Sequence, residues 1–582
     1  MNLLDALERL KRPAPVGARP LRVFLACGST PVHLEAFLAA HLSDRCPTRR
    51  IEMRSGVFGD LAGNIERLRD EEYDALAVVI EWPDLDLRLG VRNLGGWEVD
   101  QLSDIVASAE RSLDRLAAIL QSTSSALPTC ICLPTLPLPP MFSTTMRQSH
   151  PYELKLRRKL ASFAEALSSN RGLSIVSAQY LDKLSPIESR FNLRTEITQG
   201  ISYKPSHASL VAELMTELLF RAATKKALIT DLDDTLWSGI LGEVGVHGIS
   251  WSLDQHSQLH GIYQQFLASL ASAGVLIGVA SKNDPSLVEQ AFEREDLLLS
   301  KDKVFPIAAN WGQKSESVEQ ILQKWNILPD SVVFVDDSPM EVAEVRRAFP
   351  QMECIVFPKT DYTEFWSLLH HLRDAFSKVT VSDEDLLRVQ SLRNAEAFSA
   401  QVNQTQHSID DFLHDAEGRV SFNLGKPAAG DTRAFELINK TNQFNLNGRR
   451  YDEAAWASFL SDPNAYALTV SYEDKFGRLG RIAVLIGRPQ ARKFHVESWV
   501  LSCRAFSRRI EFHTLQYLYE KFAVDEIVFD VHKTPRNGPL MEFLRPFADG
   551  PIESDFALSR RCFYRKAPEL PHQAIEEEVL SG

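Results

Sequence analysis

Residues 227–235 read ALITDLDDT, a short apolar run followed at once by Asp231 and Asp233, two aspartates that a single residue separates. The apolar run is typical of a buried strand, and the polar residues after it are typical of the loop at the strand's carboxyl end. Both carboxylates can then face one pocket. Paired carboxylates with Mg2+ suit phosphoryl transfer, which needs a nucleophile, a proton for the leaving group and a cation beside the phosphate oxygens. Taken alone, the segment also fits an Asp-rich turn that caps the next helix.

Three further polar positions follow in order along the chain. Ser281 ends the apolar run VLIGVAS, Lys314 lies in NWGQKSES, and Asp336 ends the run VVFVD. The carboxyl ends of parallel strands meet at one edge of an open sheet, so we expect these side chains to converge on one crevice. Helix capping or a solvated lysine explains each position singly. Four such coincidences together indicate a site.

The four segments resemble the motifs of the haloacid dehalogenase (HAD) superfamily, whose aspartate nucleophile accepts the phosphoryl group covalently. The resemblance implies that Asp231 is the catalytic nucleophile and Asp233 its acid/base partner. It implies Mg2+ as cofactor, with Asp231, Asp233 and Asp336 as metal ligands. The phosphate-binding residues that it implies are Thr235, Ser281, Lys282 and Lys314.

The hydrophobic pattern divides the 582-residue chain into three predicted domains. Residues 20–221 alternate short apolar runs with amphipathic stretches, which predicts an α/β domain with a parallel sheet. Residues 222–378 hold the four segments and predict a HAD-type, Rossmannoid α/β domain. Residues 381–566 contain strand-like runs around a helical stretch, which predicts an α+β domain with a mostly antiparallel sheet.

The sequences around the motifs resemble one particular family within the superfamily. The segments DLDDTLWSGILGEVG, ASKNDP, FVDDSPMEVAEVR, LINKTNQFNLNGRRY and SWVLSCRAFSRRIE together resemble the FkbH-like family. Members of that family convert 1,3-bisphosphoglycerate into a glyceryl thioester on an acyl carrier protein, for polyketide-type biosynthesis. The resemblance covers the second and third predicted domains. It implies two partners, a small phosphorylated three-carbon substrate and a phosphopantetheinylated carrier protein.

Cys503 follows a strand-like run and is itself followed by Arg504, Arg508 and Arg509. Basic neighbours favour a thiolate, and a thiolate can capture the carbonyl carbon of an acyl phosphate. Cys503 is therefore a predicted catalytic residue, although a free cysteine is more often a small buried hydrophobe.

The third domain resembles the GNAT acyltransferase fold, in which a loop opening a helix cradles a pantetheine cofactor's pyrophosphate. The segment CRAFSRR stands there without the usual glycines. Arginine contacts to the single phosphate of carrier-protein pantetheine are expected instead. The predicted acyl- and pantetheine-binding residues are Asn442, Gln443, Asn445, Arg504, Arg508 and Asn537. The alternative for the amides is that they form turns.

Ser29 follows the first apolar run, and His207 lies in YKPSHASL just before a helix. This order resembles SGNH-type hydrolases, in which a histidine activates the serine and a carboxylate three residues before the histidine orients it. Lys204 stands at that position here. We therefore predict an SGNH-like α/β domain that is not a hydrolase, with Ser29 and His207 as its candidate site.

Composition narrows the choice of partners and compartment. The 64 basic and 77 acidic residues give a net charge of −13, which makes nucleic acid a poor partner. No apolar run has the length of a membrane span, and the first residues do not resemble a signal peptide, so a soluble, cytoplasmic protein is expected. Seven scattered cysteines argue against a disulfide framework and a structural zinc site.

Three alternatives to the glyceryl transferase remain open. One is a small-molecule phosphatase whose third domain only binds. Another is an acyltransferase for a different phosphorylated acid. A scaffold that docks carrier proteins is a poorer interpretation, because the carboxylate set is intact.

Overall fold

The computed structural model describes most of the chain. The described residues are 1–378 apart from 16, 71, 95, 125–126, 143–146, 171 and 222–223, then 392–393, then 413–577 apart from 426–431, 442–443, 476, 503–504, 507, 535–536, 549, 551 and 553–554. The chain divides into two compact units, Met1–Ala223 and Thr224–Gly582.

The first unit is built on a five-stranded parallel sheet with strand order β2-β1-β3-β4-β5. Its strands are β1 (Pro20–Cys27), β2 (Arg50–Ser55), β3 (Ala75–Val79), β4 (Thr129–Cys132) and β5 (Leu173–Ile175). Its helices are α1 (Leu3–Leu10), α2 (Val32–Arg45), α3 (Leu61–Glu66), α4 (Trp82–Leu85), α5 (Leu102–Ser124), α6 (Pro151–Ser168), α7 (Ala178–Leu184), α8 (Leu193–Gln199) and α9 (Pro205–Leu219). Every residue of β3 and β4 is buried, as expected for central strands of a sheet covered on both faces.

The second unit begins with another five-stranded parallel sheet, with strand order β10-β9-β6-β7-β8. Its strands are β6 (Ala227–Thr230), β7 (Leu276–Ser281), β8 (Val304–Ala309), β9 (Val332–Asp336) and β10 (Glu353–Val356). The helices that accompany them are α10 (Leu241–Val244), α11 (Gln258–Ser272), α12 (Pro285–Phe292), α13 (Lys314–Trp325), α14 (Pro339–Ala348) and α15 (Tyr362–Phe376). The chain leaves β6 on one side towards β7 and returns on the other side at β9, so the strand order reverses between β6 and β9.

The later part of the second unit contains an eight-stranded mixed sheet. Its strands are β11 (Arg419–Leu424), β12 (Phe444–Asn445), β13 (Tyr466–Asp474), β14 (Gly477–Gln490), β15 (Lys493–Leu501), β16 (Glu526–Phe529), β17 (Phe556–Ser559) and β18 (Gln573–Glu576). Its helices are α16 (Thr432–Lys440), α17 (Glu453–Ser461), α18 (Ile510–Lys521), α19 (Gly538–Leu544) and α20 (Arg560–Lys566). Most strand pairs are antiparallel, and β15 with β16 and β11 with β18 are parallel.

The expected α/β architecture with parallel sheets is confirmed, and the last sheet is mixed. Within the described ranges, no helix is both long and apolar enough to cross a membrane.

Candidate active site

Three aspartates meet where the strand order of the second sheet reverses. Thr230 on β6 pairs with Val335 on β9, so Asp231 and Asp336 lie side by side at the carboxyl ends of their strands. The amide nitrogen of Asp231 donates to the carbonyl of Val335 over 2.9 Å. Asp231, Asp336 and Asp337 each offer a carboxylate oxygen, and these oxygens lie within 4.8 Å of one another. The crevice at such a reversal is the usual ligand site of an open α/β sheet.

A buried lysine supplies the positive charge beside these carboxylates. Lys314, the first residue of α13, places Nζ 2.7 Å from Asp231 Oδ1, 3.0 Å from Asp336 Oδ2 and 2.8 Å from Glu341 Oε2. Its side chain is 1% exposed. Burial alone lowers the pKa of Lys314, but the three carboxylates outweigh burial and raise the pKa above its usual range. Lys314 therefore stays charged.

One ammonium does not balance this cluster of acids. Burial raises the pKa of Asp231, with Lys314 opposing the shift, and burial followed by the charge of Asp231 raises the pKa of Asp336 to about 7. Asp336 Oδ2 is buried and, among the described residues, has no hydrogen-bond donor aligned with it. Hard carboxylate oxygens that lack sufficient compensation fit a divalent cation such as Mg2+. Asp231, Asp336 and Asp337 are the residues that can hold it.

Asp233 is held apart from this cluster by three donors. Its Oδ1 accepts from Trp237 Nε1 over 2.9 Å and from the Leu241 amide over 3.2 Å, and its Oδ2 accepts from Asn283 Nδ2 over 2.9 Å. Burial raises its pKa. The carboxylates that lie together are thus Asp231, Asp336 and Asp337, and the oxygens of Asp233, the third predicted metal ligand, are engaged by these donors. A fixed carboxyl group with a raised pKa remains suited to proton transfer.

The predicted phosphate-binding residues other than Lys314 make different contacts from one another. Ser281 ends β7, is buried, and has its Oγ 3.5 Å from Asn283 Nδ2. Thr235 instead positions a member of the acid cluster, since its Oγ1 accepts from the amide of Asp337 over 3.0 Å. Lys282 lies 2.9 Å from Glu341 Oε1 and is 38% exposed.

Sequence reasoning missed Asn283, Trp237 and Glu341. Asn283 stands in ASKNDP, two residues after Ser281, and that spacing was the available signal for a side chain at the same strand end. Glu341 gave no comparable signal, because its contact with Lys314 depends on how α14 lies against α13.

In the third predicted domain, the structure describes three of the seven predicted site residues. Cys503, Arg504, Asn442 and Gln443 lie outside the described residues. Asn445, Asn537 and Arg508 are described, and all three are buried.

The two described amides hold turns. Asn445 Oδ1 accepts from the Gly448 amide over 2.7 Å, and its Nδ2 donates to the Thr441 carbonyl over 2.9 Å. Asn537 Nδ2 donates to the carbonyls of Asn445, over 3.1 Å, and His532, over 2.9 Å. These hydrogen bonds match the turn-forming alternative. The geometry of the two amides does not favour ligand binding.

Arg508 also differs from the expectation. Its side chain is 1% exposed, its Nε donates to Asp474 Oδ2 over 3.1 Å, and its guanidinium lies over the ring of Tyr472. A guanidinium enclosed in this way cannot reach the phosphate of a bound pantetheine without leaving a buried carboxylate uncompensated. Its position indicates a structural role.

The candidate residues of the first unit are not paired with each other. His207 on α9 is fully buried, its Nδ1 lies 2.9 Å from Ser185 Oγ, and its Nε2 lies 3.0 Å from Thr135 Oγ1. Burial, together with the charge of Arg190, lowers the pKa of His207 to about 3. Ser29 lies in the loop after β1. Both imidazole nitrogens are occupied, so His207 is not the base of Ser29.

This geometry predicts that the protein does not hydrolyse simple aryl esters through Ser29. We expect 4-nitrophenyl acetate to be cleaved no faster by the protein than by buffer with an unrelated protein, as measured from nitrophenolate absorbance. A Ser29→Ala variant is the control and should give the same rate. Hydrolysis that disappears in Ser29→Ala would show that the unit is an active esterase.

The comparisons with known proteins bear on the fold. No protein family model matches the chain, and no curated protein matches it. The structure is similar to the crystal structure of the N-terminal part of the protein BF1531 from Bacteroides fragilis, which contains a phosphatase domain complexed with Mg. That similarity has a TM-score of 0.50 at 20% sequence identity and covers 65% of this chain and 100% of that chain. It shows a shared fold.

A second solved structure is an uncharacterized protein from Corynebacterium glutamicum. It is 17% identical, has a TM-score of 0.19, and covers 26% of this chain and 98% of that chain.

Proposed function

We propose that the second unit is a Mg2+-dependent phosphatase of the HAD type. One observation carries the proposal: Asp231, Asp336 and Asp337 gather at the strand-order reversal, with the buried ammonium of Lys314 beside Asp231 and Asp336. The phosphatase domain with Mg in BF1531, whose fold this chain shares, supports the same chemistry. Bound at this cluster, Mg2+ would offset the charge of the phosphate oxygens.

The chain's own residues then divide the reaction between them. An oxygen of Asp231 bonds to phosphorus as the bond between phosphorus and the substrate oxygen breaks. Asp233 gives its proton to that departing oxygen. The Asp233 carboxylate next takes a proton from the water that attacks phosphorus, which releases phosphate and restores the Asp231 carboxylate. Trp237 and Asn283 fix Asp233 for both transfers.

The proposed substrate is 1,3-bisphosphoglycerate, and the proposed product is a glyceryl thioester on a phosphopantetheinylated acyl carrier protein. The segments that resemble the FkbH-like family support this finer proposal. An acyl phosphate is a mixed anhydride, so attack of a thiolate on its carbonyl carbon expels phosphate. The second phosphate is an ester and needs the Asp231 site. We assign the thiolate to Cys503.

The experiment that tests the finer proposal separates these two chemistries. Wild type and Cys503→Ala are mixed with Mg2+, 1,3-bisphosphoglycerate and pantetheinylated carrier protein, and both proteins are weighed by intact mass spectrometry while released phosphate is measured. We expect Cys503→Ala to load the carrier at least about ten-fold more slowly, with phosphate release from the Asp231 site within about two-fold of wild type.

Cys562→Ala is the matched control, because Cys562 is a partly buried free cysteine in the same part of the chain. It should load the carrier at the wild-type rate. Loading by Cys503→Ala at that rate would instead favour direct transfer to pantetheine. Phosphate release without any loaded carrier in wild type would leave only the phosphatase.

A further inference from the structure

A large cleft opens in the first unit where its own strand order reverses. The chain passes from β1 to β2 on one side and returns to β3 on the other. The loops after β1 and β3 both line a cleft of about 1320 Å³, with residues 136–140 after β4 beside them. Ligand pockets typically measure about 300–1,000 Å³, so this cleft is larger than a three-carbon substrate needs.

The floor of the cleft joins Gly28 and Ser29, after β1, to Asp84, after β3. A Cβ built on Gly28 would lie 1.7 Å from Asp84 Oδ1, so the carboxyl group rests directly on the glycine backbone and a side chain there would displace it. Asp84 Oδ2 accepts from the Glu81 amide over 2.8 Å. No hydrogen bond to Oδ1 occurs within the part of the chain that the structure describes.

The wall of the cleft is apolar and open to solvent. Its large apolar side chains with the greatest exposure are Phe58 (52%), Leu87 (66%), Trp97 (39%), Leu193 (50%) and Ile197 (55%). Five exposed apolar side chains that line one cleft are of the kind that marks a binding site.

Charge at the floor selects against an anionic head group. Burial, together with the negative charges of Glu81 and Glu196, raises the pKa of Asp84 to about 7. Two lining arginines are already paired, Arg88 with Asp86 and Arg115 with Glu66. An anion placed beside Asp84 would meet the negative charges of Glu81 and Glu196. The third lining arginine, Arg92, lies over the ring of Phe58 on the wall of the cleft.

An amide satisfies both polar groups of the floor. The hydroxyl of Ser29 can donate to the amide carbonyl, and Asp84 Oδ1 can accept from the amide N–H. Since His207 is engaged elsewhere, such a ligand would be held and not cleaved. We propose that this cleft binds a neutral alkyl amide, with its amide on Ser29 and Asp84 and its apolar chain along Phe58 and Ile197.

The test compares three eight-carbon probes with different heads, octanamide, octanoate and octylammonium, by isothermal titration calorimetry on the full chain at one pH. We expect saturable binding of one octanamide and at least about ten-fold weaker binding of octanoate, a difference of about 1.4 kcal/mol. Octylammonium should also bind more weakly than octanamide, because it has no acceptor for the hydroxyl proton of Ser29. Ile197→Glu and Phe58→Ala should each weaken octanamide binding by at least about ten-fold. Ile187→Glu is the matched control, because Ile187 is also exposed, at 46%, and does not line the cleft.

The variants distinguish ligand binding in the first unit from phosphate release at the Asp231 site. Retained binding in Asp231→Asn, with loss in Ile197→Glu, would support a site in the first unit that is independent of phosphate release. No saturable octanamide binding, tighter binding of octylammonium or octanoate, or equal effects of Ile197→Glu and Ile187→Glu would each overturn the proposal.

Discussion

Asp231→Asn should lower Mg2+-dependent phosphate release by at least about a thousand-fold while leaving the protein folded. An amide oxygen is a poor nucleophile towards phosphorus, so the covalent step is lost. The substitution also removes one of the three carboxylates of the cluster and weakens its hold on a cation. Side-chain size is preserved, and Lys314 keeps Asp336 and Glu341 as partners. Released phosphate is measured on the purified variant at several Mg2+ concentrations, with circular dichroism as the check on folding.

Asp302→Asn is a suitable control for this experiment. Asp302 is an exposed aspartate of the same unit that precedes β8, away from the carboxyl ends of the strands. It should keep the wild-type rate. Substantial turnover by folded Asp231→Asn would mean that Asp231 is not the nucleophile, and the proposed phosphatase chemistry would then fail at its first step.

The convergence of Asp231, Ser281 and Asp336 was predictable from the sequence. Each ends or follows a short apolar run, and parallel strands bring their carboxyl ends together whatever the details of packing. The choice of Asp337 over Asp233 for the carboxylate cluster was not predictable. It depends on side-chain direction within a tight loop, which is decided by hydrogen bonds from Trp237 in the same segment and from Asn283 after β7.

In the first unit, the order of residues along the chain did not predict the contacts of the candidate histidine. Ser29 and His207 stand in a suggestive order, but order along the chain does not fix which groups an imidazole meets. Thr135 and Ser185 fill both sides of His207. The absence of a carboxylate before His207, where Lys204 stands, was the signal in the sequence that argued against a Ser29–His207 pair.

Lys314→Met should lower the free energy of unfolding of the second unit by about 3–5 kcal/mol in metal-free buffer, because breaking a buried ion pair leaves an uncompensated charge. Here one lysine serves three carboxylates, Asp231, Asp336 and Glu341. Methionine fills similar space but supplies no charge. Urea denaturation followed by circular dichroism measures the loss. Lys324→Met, an exposed lysine on the same helix, is the matched control and should cost less than about 1 kcal/mol.

The free energy of unfolding of Lys314→Met should fall as pH rises. The pKa of Asp336 is already raised to about 7 from an ordinary value of 3.8, and that of Asp231 is raised as well. Between these values the folded state binds more protons than the unfolded state, so stability falls as pH rises. Without Lys314 the folded pKa values move higher, so the fall should continue to higher pH than in wild type. Added Mg2+ should stabilise Lys314→Met more than wild type, since a bound cation replaces the missing charge. A variant as stable as Lys324→Met, with no added response to pH or Mg2+, would contradict the charge balance that we assign to this cluster.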